Sequence, residues 1–370
     1  MTTTTIRRTV RGPAPVLGLA ALALALAPMP AQADAIADFY KGKQISLIIS
    51  TGVGGGLDQN ARVVARHWTN HIPGNPVIIA KNMPGAGSLR ATNFLYGQAP
   101  KDGTAVGTMI PSFVLNQRIG GKGVAYDATK FSWIGSSNAS NSNLYVWHAT
   151  GIKTLNETMT KEVVMGATGA GSYTVLYPAI MNNLLGTKFR VIMGYRSATQ
   201  VNLAMERGEV QGRAGNNFNS LMARNADWVK DKKINILVQV GQKRDPDFKD
   251  VPLLTEFAKD QASREVLQLF SDEVELGRPF LTAPGVPADR VAALRASFDA
   301  TMKDAKLLEE AKKGGLDIMP TSGAALQKLV DGIINTKDDV IDRAKAAMET
   351  KGSIAGKVKS SGKKKKKSAE

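Results

Sequence analysis

Cysteine is missing from all 370 residues, and histidine occurs only at His67, His71 and His148. Without thiols there are no disulfides, no thiolate metal site, no cysteine nucleophile and no lipid-modified N-terminal cysteine. So few imidazoles leave little material for a histidine-rich metal centre or a Ser-His-Asp triad. His67 and His71 stand at i, i+4, but the segment His-Trp-Thr-Asn-His has no Glu where a zinc peptidase needs one, and no third ligand offers itself. A surface helix face is the plainer reading. Beyond residue 33, no apolar run reaches the ~18 residues that a transmembrane helix requires.

Acids are missing from residues 1–33 and scarce in residues 351–370, and this skews the charge. The formal net charge is +16, of which residues 1–33 carry +3 and residues 351–370 carry +7. The body, 34–350, is left with +6, too little to suggest nucleic acid as a partner. Hydrophobic residues at 43% and charged residues at 22% are ordinary for globular domains, and the length suggests two.

Arg7, Arg8 and Arg11 precede an apolar run, Val16–Ala27, and then the small-residue pattern Ala31-Gln32-Ala33. Residues 1–33 therefore read as a secretory signal peptide cut after Ala33, with Ala35 as the alternative. General secretion fits better than twin-arginine export, whose flanking pattern around Arg7-Arg8 is poor. The mature chain is expected to be exported to the periplasm, and residues 351–370, rich in Gly, Ser and Lys, to form a disordered tail.

What is present is a repeated strand–glycine loop–helix unit. Gln44–Ser50 is an apolar strand, Thr51–Asp58 a glycine loop, and Gln59 to about Asn70 a helix with Asp58 as N-cap. A strand at Pro76–Ala80 leads into a second loop, Asn82–Ser88, a helix to about Gln98 and a strand at Ala105–Met109. The pattern restarts with strands at Leu144–Trp147 and Glu162–Gly166, a third loop at Ala167–Ser172 and a helix from Tyr173 to about Leu185. Strands at Phe189–Met193, Val210–Ala214 and Ile234–Val240 follow, with a helix at Thr199–Arg207 between the first two. Asp289–Ala305 and Gly323–Met348 are helical by period. The fold class is α/β, in two similar halves with parallel-rich sheets.

None of the glycine loops is a nucleotide cradle. No Lys follows Gly56 as a P-loop demands, and Leu57 spoils a dinucleotide fingerprint. Gly169-Ala-Gly-Ser172 lacks the glycines of a nucleophile elbow. Each loop is either a tight turn or an anion site, in which glycine lets a ligand approach the N–H groups of a helix N-terminus. Three of them at strand C-terminal ends favour the second reading, because ligands of open α/β sheets sit there.

In order along the chain, the segments Gly54-Gly-Gly-Leu-Asp58-Gln-Asn-Ala61-Arg62, Asn82-Met-Pro-Gly-Ala-Gly-Ser88, Ala99-Pro-Lys-Asp102-Gly103, Gly169-Ala-Gly-Ser172-Tyr-Thr174, Tyr195-Arg196-Ser197, Gly208-Glu209-Val210-Gln211, Asp250–Glu256 and Ala283–Pro287 stand out. With them, the chain from about Phe39 to about Met348 resembles the tripartite tricarboxylate transporter substrate-binding proteins, the Bug family of periplasmic receptors. It departs from the family's pattern at Gln211, where Asp is usual. It departs again at Gly277-Arg278-Pro279, where an aromatic is common, and at Asn216 and Asn217, which follow the basic Arg213.

The resemblance implies a two-lobed, type II-like periplasmic-binding fold with the ligand cleft between the lobes. Residues 34–143 plus 244–350 would form the first lobe and 144–243 the second. It implies a receptor that binds a small carboxylate (a di- or tricarboxylic, aromatic or amino acid) and delivers it to membrane permease subunits. It would act as a monomer, with no cofactor, metal or catalytic residue and no nucleic acid partner. The implied binding residues are Gly54, Gly55, Gly56 and Asp58; Pro84, Gly85, Ala86, Gly87 and Ser88; Thr168, Gly169, Gly171, Ser172, Tyr173 and Thr174; and Tyr195, Arg196 and Ser197. Asp58 serves as N-cap or meets a ligand hydroxyl or amine, and Arg196 points inward or to solvent. Two other readings stay open: a receptor that presents its closed form to a sensor kinase, and an exported enzyme with Asp58 and Glu209 as acid–base groups.

Overall fold

The computed structural model describes residues 1–3, 30–169, 171–195, 197–350 and 354–357. Most of the stretch read as a signal peptide lies outside these residues. The helix Pro30–Tyr40 begins before the expected cut and buries Ile36 and Tyr40.

The strands, in chain order, are β1 (Gln44–Ile49), β2 (Val77–Asn82), β3 (Ala105–Thr108), β4 (Ser132–Ser136), β5 (Ser142–Trp147), β6 (Val163–Ala167), β7 (Phe189–Met193), β8 (Gly212–Asn217), β9 (Ile234–Val240), β10 (Pro279–Thr282), β11 (Thr321–Ser322) and β12 (Ile354–Lys357). They form two six-stranded sheets, ordered β11-β4-β10-β3-β1-β2 and β12-β7-β6-β8-β5-β9. In the first, β1 runs parallel to β2 and β3, and β10 is antiparallel to β3 and β4. In the second, β6 runs parallel to β7 and β8, and β5 is antiparallel to β8 and β9. Strand β1 is apolar on both faces because helices cover both: Ile45, Leu47, Ile48 and Ile49 are all buried.

Two segments cross between the sheets. Ser137–Asn141 joins β4 to β5, and the chain returns through residues 241–278 to β10. The crossings lie side by side. The Ser137 N–H donates to the Arg278 carbonyl (3.3 Å), and the Arg278 N–H donates to the Asn138 carbonyl (2.9 Å) and to Ser136 Oγ (3.0 Å). Gly277 sits between them at φ +61°, where a Cβ would stand 2.0 Å from the Asn138 carbonyl oxygen, so no other residue fits.

The C-terminal region differs from its sequence reading in two ways. The period over 323–348 is carried by two helices, Gly323–Ile334 and Asp338–Ala347, broken at Asn335-Thr336-Lys337; both bury an apolar stripe, so the pattern runs on through the break. The helix Asp338–Ala347 packs against the helices Tyr173–Leu185 and Gln261–Val274, and Asn183 Nδ2 donates to the Ala347 and Glu349 carbonyls (2.8 Å each). Within the segment expected to be disordered, Ile354–Lys357 is strand β12, parallel to β7. An open sheet edge offers unpaired N–H and C=O groups, and a short strand of almost any sequence satisfies them. The rest of 358–370 lies outside the described residues.

Candidate functional site

The first glycine loop follows β1, and the helix Gly56–Trp68 starts three residues earlier than the sequence suggests. Its N-cap is Gly55, not Asp58. Asp58 lies inside the first turn, buried, and its carboxylate accepts from the Gly54 N–H (2.8 Å), Arg62 Nε (2.9 Å) and Asn82 Nδ2 (2.8 Å). Burial alone would raise its pKa; those hydrogen bonds outweigh it and hold the carboxyl below its ordinary range. Asn82 Nδ2 also donates to the Thr51 carbonyl (2.8 Å), so this loop is buckled down at both ends. Asp58 is a structural brace and does not line the cavity.

The second loop is a support. Its backbone passes through consecutive positive φ values at Gly85 (146°), Ala86 (46°), Gly87 (62°) and Ser88 (81°), two of them at non-glycine residues that bear strain there. Ser88 turns inward, its hydroxyl donating to Ser50 Oγ (2.8 Å) and accepting from the Ile110 N–H (3.1 Å). Of the expected residues Pro84, Gly85, Ala86, Gly87 and Ser88, only Gly87 reaches the cavity wall.

The third loop leads into the helix Tyr173–Leu185, capped by Ser172 with extended backbone. Its hydroxyls largely bond one another: Ser172 Oγ reaches the Gly169 carbonyl (2.7 Å) and Thr174 Oγ1 (2.5 Å), and the Thr168 N–H donates to Thr174 Oγ1 (3.0 Å). Tyr173 and Thr174 hold first-turn positions, so their N–H groups have no acceptor within the helix. Thr168, Gly171, Ser172, Tyr173 and Thr174 line the cavity, as does Ser197, which caps the next helix, Ala198–Glu206. Gly169 closes the turn behind the wall. Tyr195 packs into the apolar cluster around Val201. Arg196 lies outside the described residues.

These loops meet across a cavity of about 700 Å³ between the two sheets. The sides already touch. Arg224, on the helix Phe218–Lys230, donates through Nη2 to the Gly54 carbonyl (3.0 Å) and Gln59 Oε1 (2.8 Å). A Cβ on Gly56 would stand 2.9 Å from Ser220 Oγ of the same helix.

The cavity's charge comes from three arginines outside every expected site: Arg213 on β8, Arg224, and Arg278 at the crossing. Arg213 and Arg278 are each only 5% exposed. Arg213 Nη1 donates to Asn202 Oδ1 (2.9 Å), and Arg278 Nη2 to Ser220 Oγ (3.3 Å). Arg213 Nε and Arg278 Nη1 are buried without a partner among the described residues. Burial, and then repulsion from Arg224, pushes the Arg278 pKa down to about 10, so it is still charged at neutral pH. Burial and the Arg213 charge likewise lower Arg224. Among the described residues, none of the three forms an ion pair with a carboxylate; Glu206 lines the same cavity but is exposed at its rim.

Behind the wall stands Glu273, on the helix Gln261–Val274 and fully buried. Burial pushes its pKa up to about 8, and the nearby Tyr173 hydroxyl, outside good hydrogen-bond geometry, only partly offsets this.

His67 and His71 face separate acids, His67 Nε2 on Glu310 Oε2 (2.6 Å) and His71 Nε2 on Asp304 Oδ2 (3.0 Å), and share no metal-like focus. Neither Asp58 nor Glu209 lines the cavity, which removes the acid–base pair considered for an enzyme.

A cavity between two α/β sheets, walled by glycine backbone on one side and fixed cations on the other, defines a two-lobed solute-binding receptor. The tripartite tricarboxylate transporter family receptors match residues 60–345, and the chain belongs to that family. Its receptors are periplasmic substrate-binding proteins, not enzymes. A protein of Cupriavidus necator, described as "UPF0065 protein in gbd 5'region", is 28% identical over 246 residues, covering 65% of this chain and 71% of the relative. Among solved structures, the periplasmic binding protein BugD is similar at TM-score 0.64 and 18% identity, covering 83% of this chain and 98% of its own. A protein of R. palustris solved with adipate (TM-score 0.62, 18% identity, 82% and 97% covered) and MatC of Rhodopseudomonas palustris with bound malate (0.60, 18%, 83% and 99%) share the fold.

Proposed function

We propose that the chain is a periplasmic receptor that captures a small carboxylate in the cleft between its sheets and hands it to an integral membrane permease. The observation that carries this reading is the cavity of about 700 Å³ holding three arginines, none of which forms an ion pair among the described residues and two of which keep an unpartnered guanidinium N–H. An anion supplies the missing counter-charge and the missing acceptors together. The backbone N–H groups of Gly55 and Gly56 and the helix N-terminus at Tyr173 and Thr174 add donors. The adipate and malate found in structural neighbours are small dicarboxylates, in keeping with that chemistry.

In this reading residues 34–143 with 244–350 move as one lobe and 144–243 as the other. The signal peptide is cut near Ala33, and the mature chain acts as a monomer. Native mass spectrometry of the freshly exported protein tests it. A retained acid, and a mass that begins at Asp34 or Ile36, are the expected results. A protein that begins at Met1, or one that binds no carboxylate offered to it, overturns the reading.

A further inference from the structure

The cavity's unexpected charges fall on Arg278 and on Arg213 of β8, which no expected binding site included. Both side chains are 5% exposed, both line the cavity, and each has a guanidinium N–H with no acceptor among the described residues. A buried cation left with unmet donors is costly to keep, unless a ligand completes it. The two are independently mounted, Arg213 in the second sheet and Arg278 at the crossing where the first sheet resumes. Arg224 stands near enough to both to be repelled by each.

The two arginines are held by neutral hydrogen-bond partners, and Asp317 offsets part of the Arg278 charge from beyond ion-pair distance. Asn202 Oδ1 accepts from Arg213 and from the Tyr145 hydroxyl (3.3 Å), and Asn202 Nδ2 donates to Asn225 Oδ1 (3.0 Å). Ser220 Oγ accepts from Arg278 while donating to Asn217 Oδ1 (3.0 Å). These partners are neutral amides and hydroxyls, which fix direction without cancelling charge. One carboxylate can complete one guanidinium; a monoacid would leave the other still buried and unpaired.

We infer that Arg213 and Arg278 are the specificity-determining residues of the cleft, two charge anchors that select acids with at least two carboxylates over monoacids. The inference rests on the carboxylate-receptor reading and narrows it. An Arg fork also donates two parallel hydrogen bonds to a carboxylate in a way a lysine does not, so the anchors read geometry as well as charge.

The experiment uses the mature chain, stripped of bound ligand, and a panel of succinate, adipate, malate, phthalate and tricarballylate. The acid that raises the melting temperature most is then titrated by calorimetry beside its half-methyl ester, which has the same length and one charge fewer. The diacid is expected to bind at least ~30-fold tighter than the half-ester, the scale of a lost charge-assisted hydrogen bond in a buried site. Arg278→Gln and Arg213→Gln should each weaken the diacid to a similar degree and leave diacid and half-ester nearly equal, while Arg278→Lys should not restore the preference. That collapse of the preference reports on charge recognition, and loss of fold alone does not produce it, since both ligands are measured on the same folded variant. Equal affinity of the wild-type chain for diacid and half-ester overturns the anchors and leaves the carboxylate receptor standing. A panel in which nothing binds overturns both.

Discussion

The two sides of the cleft hold their walls with opposite kinds of buried acid. On the first-sheet side, Asp58 is a fully bonded carboxylate, held below its ordinary pKa range by the Gly54 N–H, Asn82 and Arg62 against the pull of burial. On the second-sheet side, Glu273 is buried behind Tyr173 with its pKa pushed up to about 8. One acid is structural because it is ionised, the other because it is neutral. The walls they support differ in the same sense. The first presents backbone, Thr51 to Gly56, which any small anion can approach. The second presents side chains, Arg213, Asn216, Asn217 and Arg224, which would do the discriminating under the proposed reading. A generic cradle facing a selective wall lets one fold keep its capture geometry while its ligand changes.

The largest expected effect separates the two acids by pH. Glu273 has a folded pKa raised above its unfolded value near 4.5, so the folded state holds its proton between about pH 4.5 and 8 while the unfolded state releases it. Stability therefore falls as pH rises through that window. Glu273→Gln keeps the neutral shape and should remove the slope. It should match the wild type at pH 4.5 and exceed it by on the order of 3 kcal/mol at pH 8. Melting curves across the window check this, and parallel curves would mean the acid is ionised and paired.

Asp58→Asn should act with the opposite sign. Its folded pKa is depressed, so the stability it lends is fully present above the unfolded value near 3.8 and is lost as pH falls through the lower folded value. The variant should lose about 2 kcal/mol at pH 7, the value of hydrogen bonds to a charged group, and less at pH 3. Urea denaturation at the two pH values measures the difference.

A smaller effect is expected where the walls meet. A valine at Gly56 would press on Ser220 Oγ, 2.9 Å from the Cβ position, and hold the cleft ajar. Gly56→Val should weaken the tightest-binding acid of the panel about tenfold, or ~1.4 kcal/mol, and enlarge the ligand-bound radius of gyration in small-angle scattering. The smallest effect belongs to Gly52→Ala. No atom lies within 4 Å of its Cβ position and its φ is unexceptional, so affinity should stay within about twofold by calorimetry. A large loss there would show that the ligand presses against the backbone at Gly52 itself.

How much of this was legible in the sequence follows from length and burial. The apolar runs at β1, β7 and β9 announce themselves, since strands largely covered by helices are rich in buried aliphatic residues. The helix Phe218–Lys230 was not read, because Asn219, Arg224, Asn225 and Asp227 interrupt its apolar residues and its backbone is kinked at Asn225. β10 and β11, with four and two residues, are too short to show a period. The glycine loops gave away two of the three faces of the cleft. The arginines did not, because an isolated Arg in a sequence is usually on the surface, and only the fold reveals which are buried beside one another. Their one signal was deviation: Arg278 in an aromatic's place, and Arg213 ahead of paired asparagines.

The side-by-side crossings at Ser136–Asn138 and Gly277–Arg278 have a kinetic consequence. Two adjacent tethers let the sheets rotate about one line and little else, and Arg278 grows from that line. On the proposed two-lobe reading, its charge would move least as the cleft opened and shut, and Arg213 would travel with the second sheet. An arriving acid would then meet a stationary cation first and a moving one second: encounter at the hinge, then rotation, then the second grip. Salt, which screens the long-range pull of a fixed charge, should slow the first step through Arg278, while the residence time is set by Arg213.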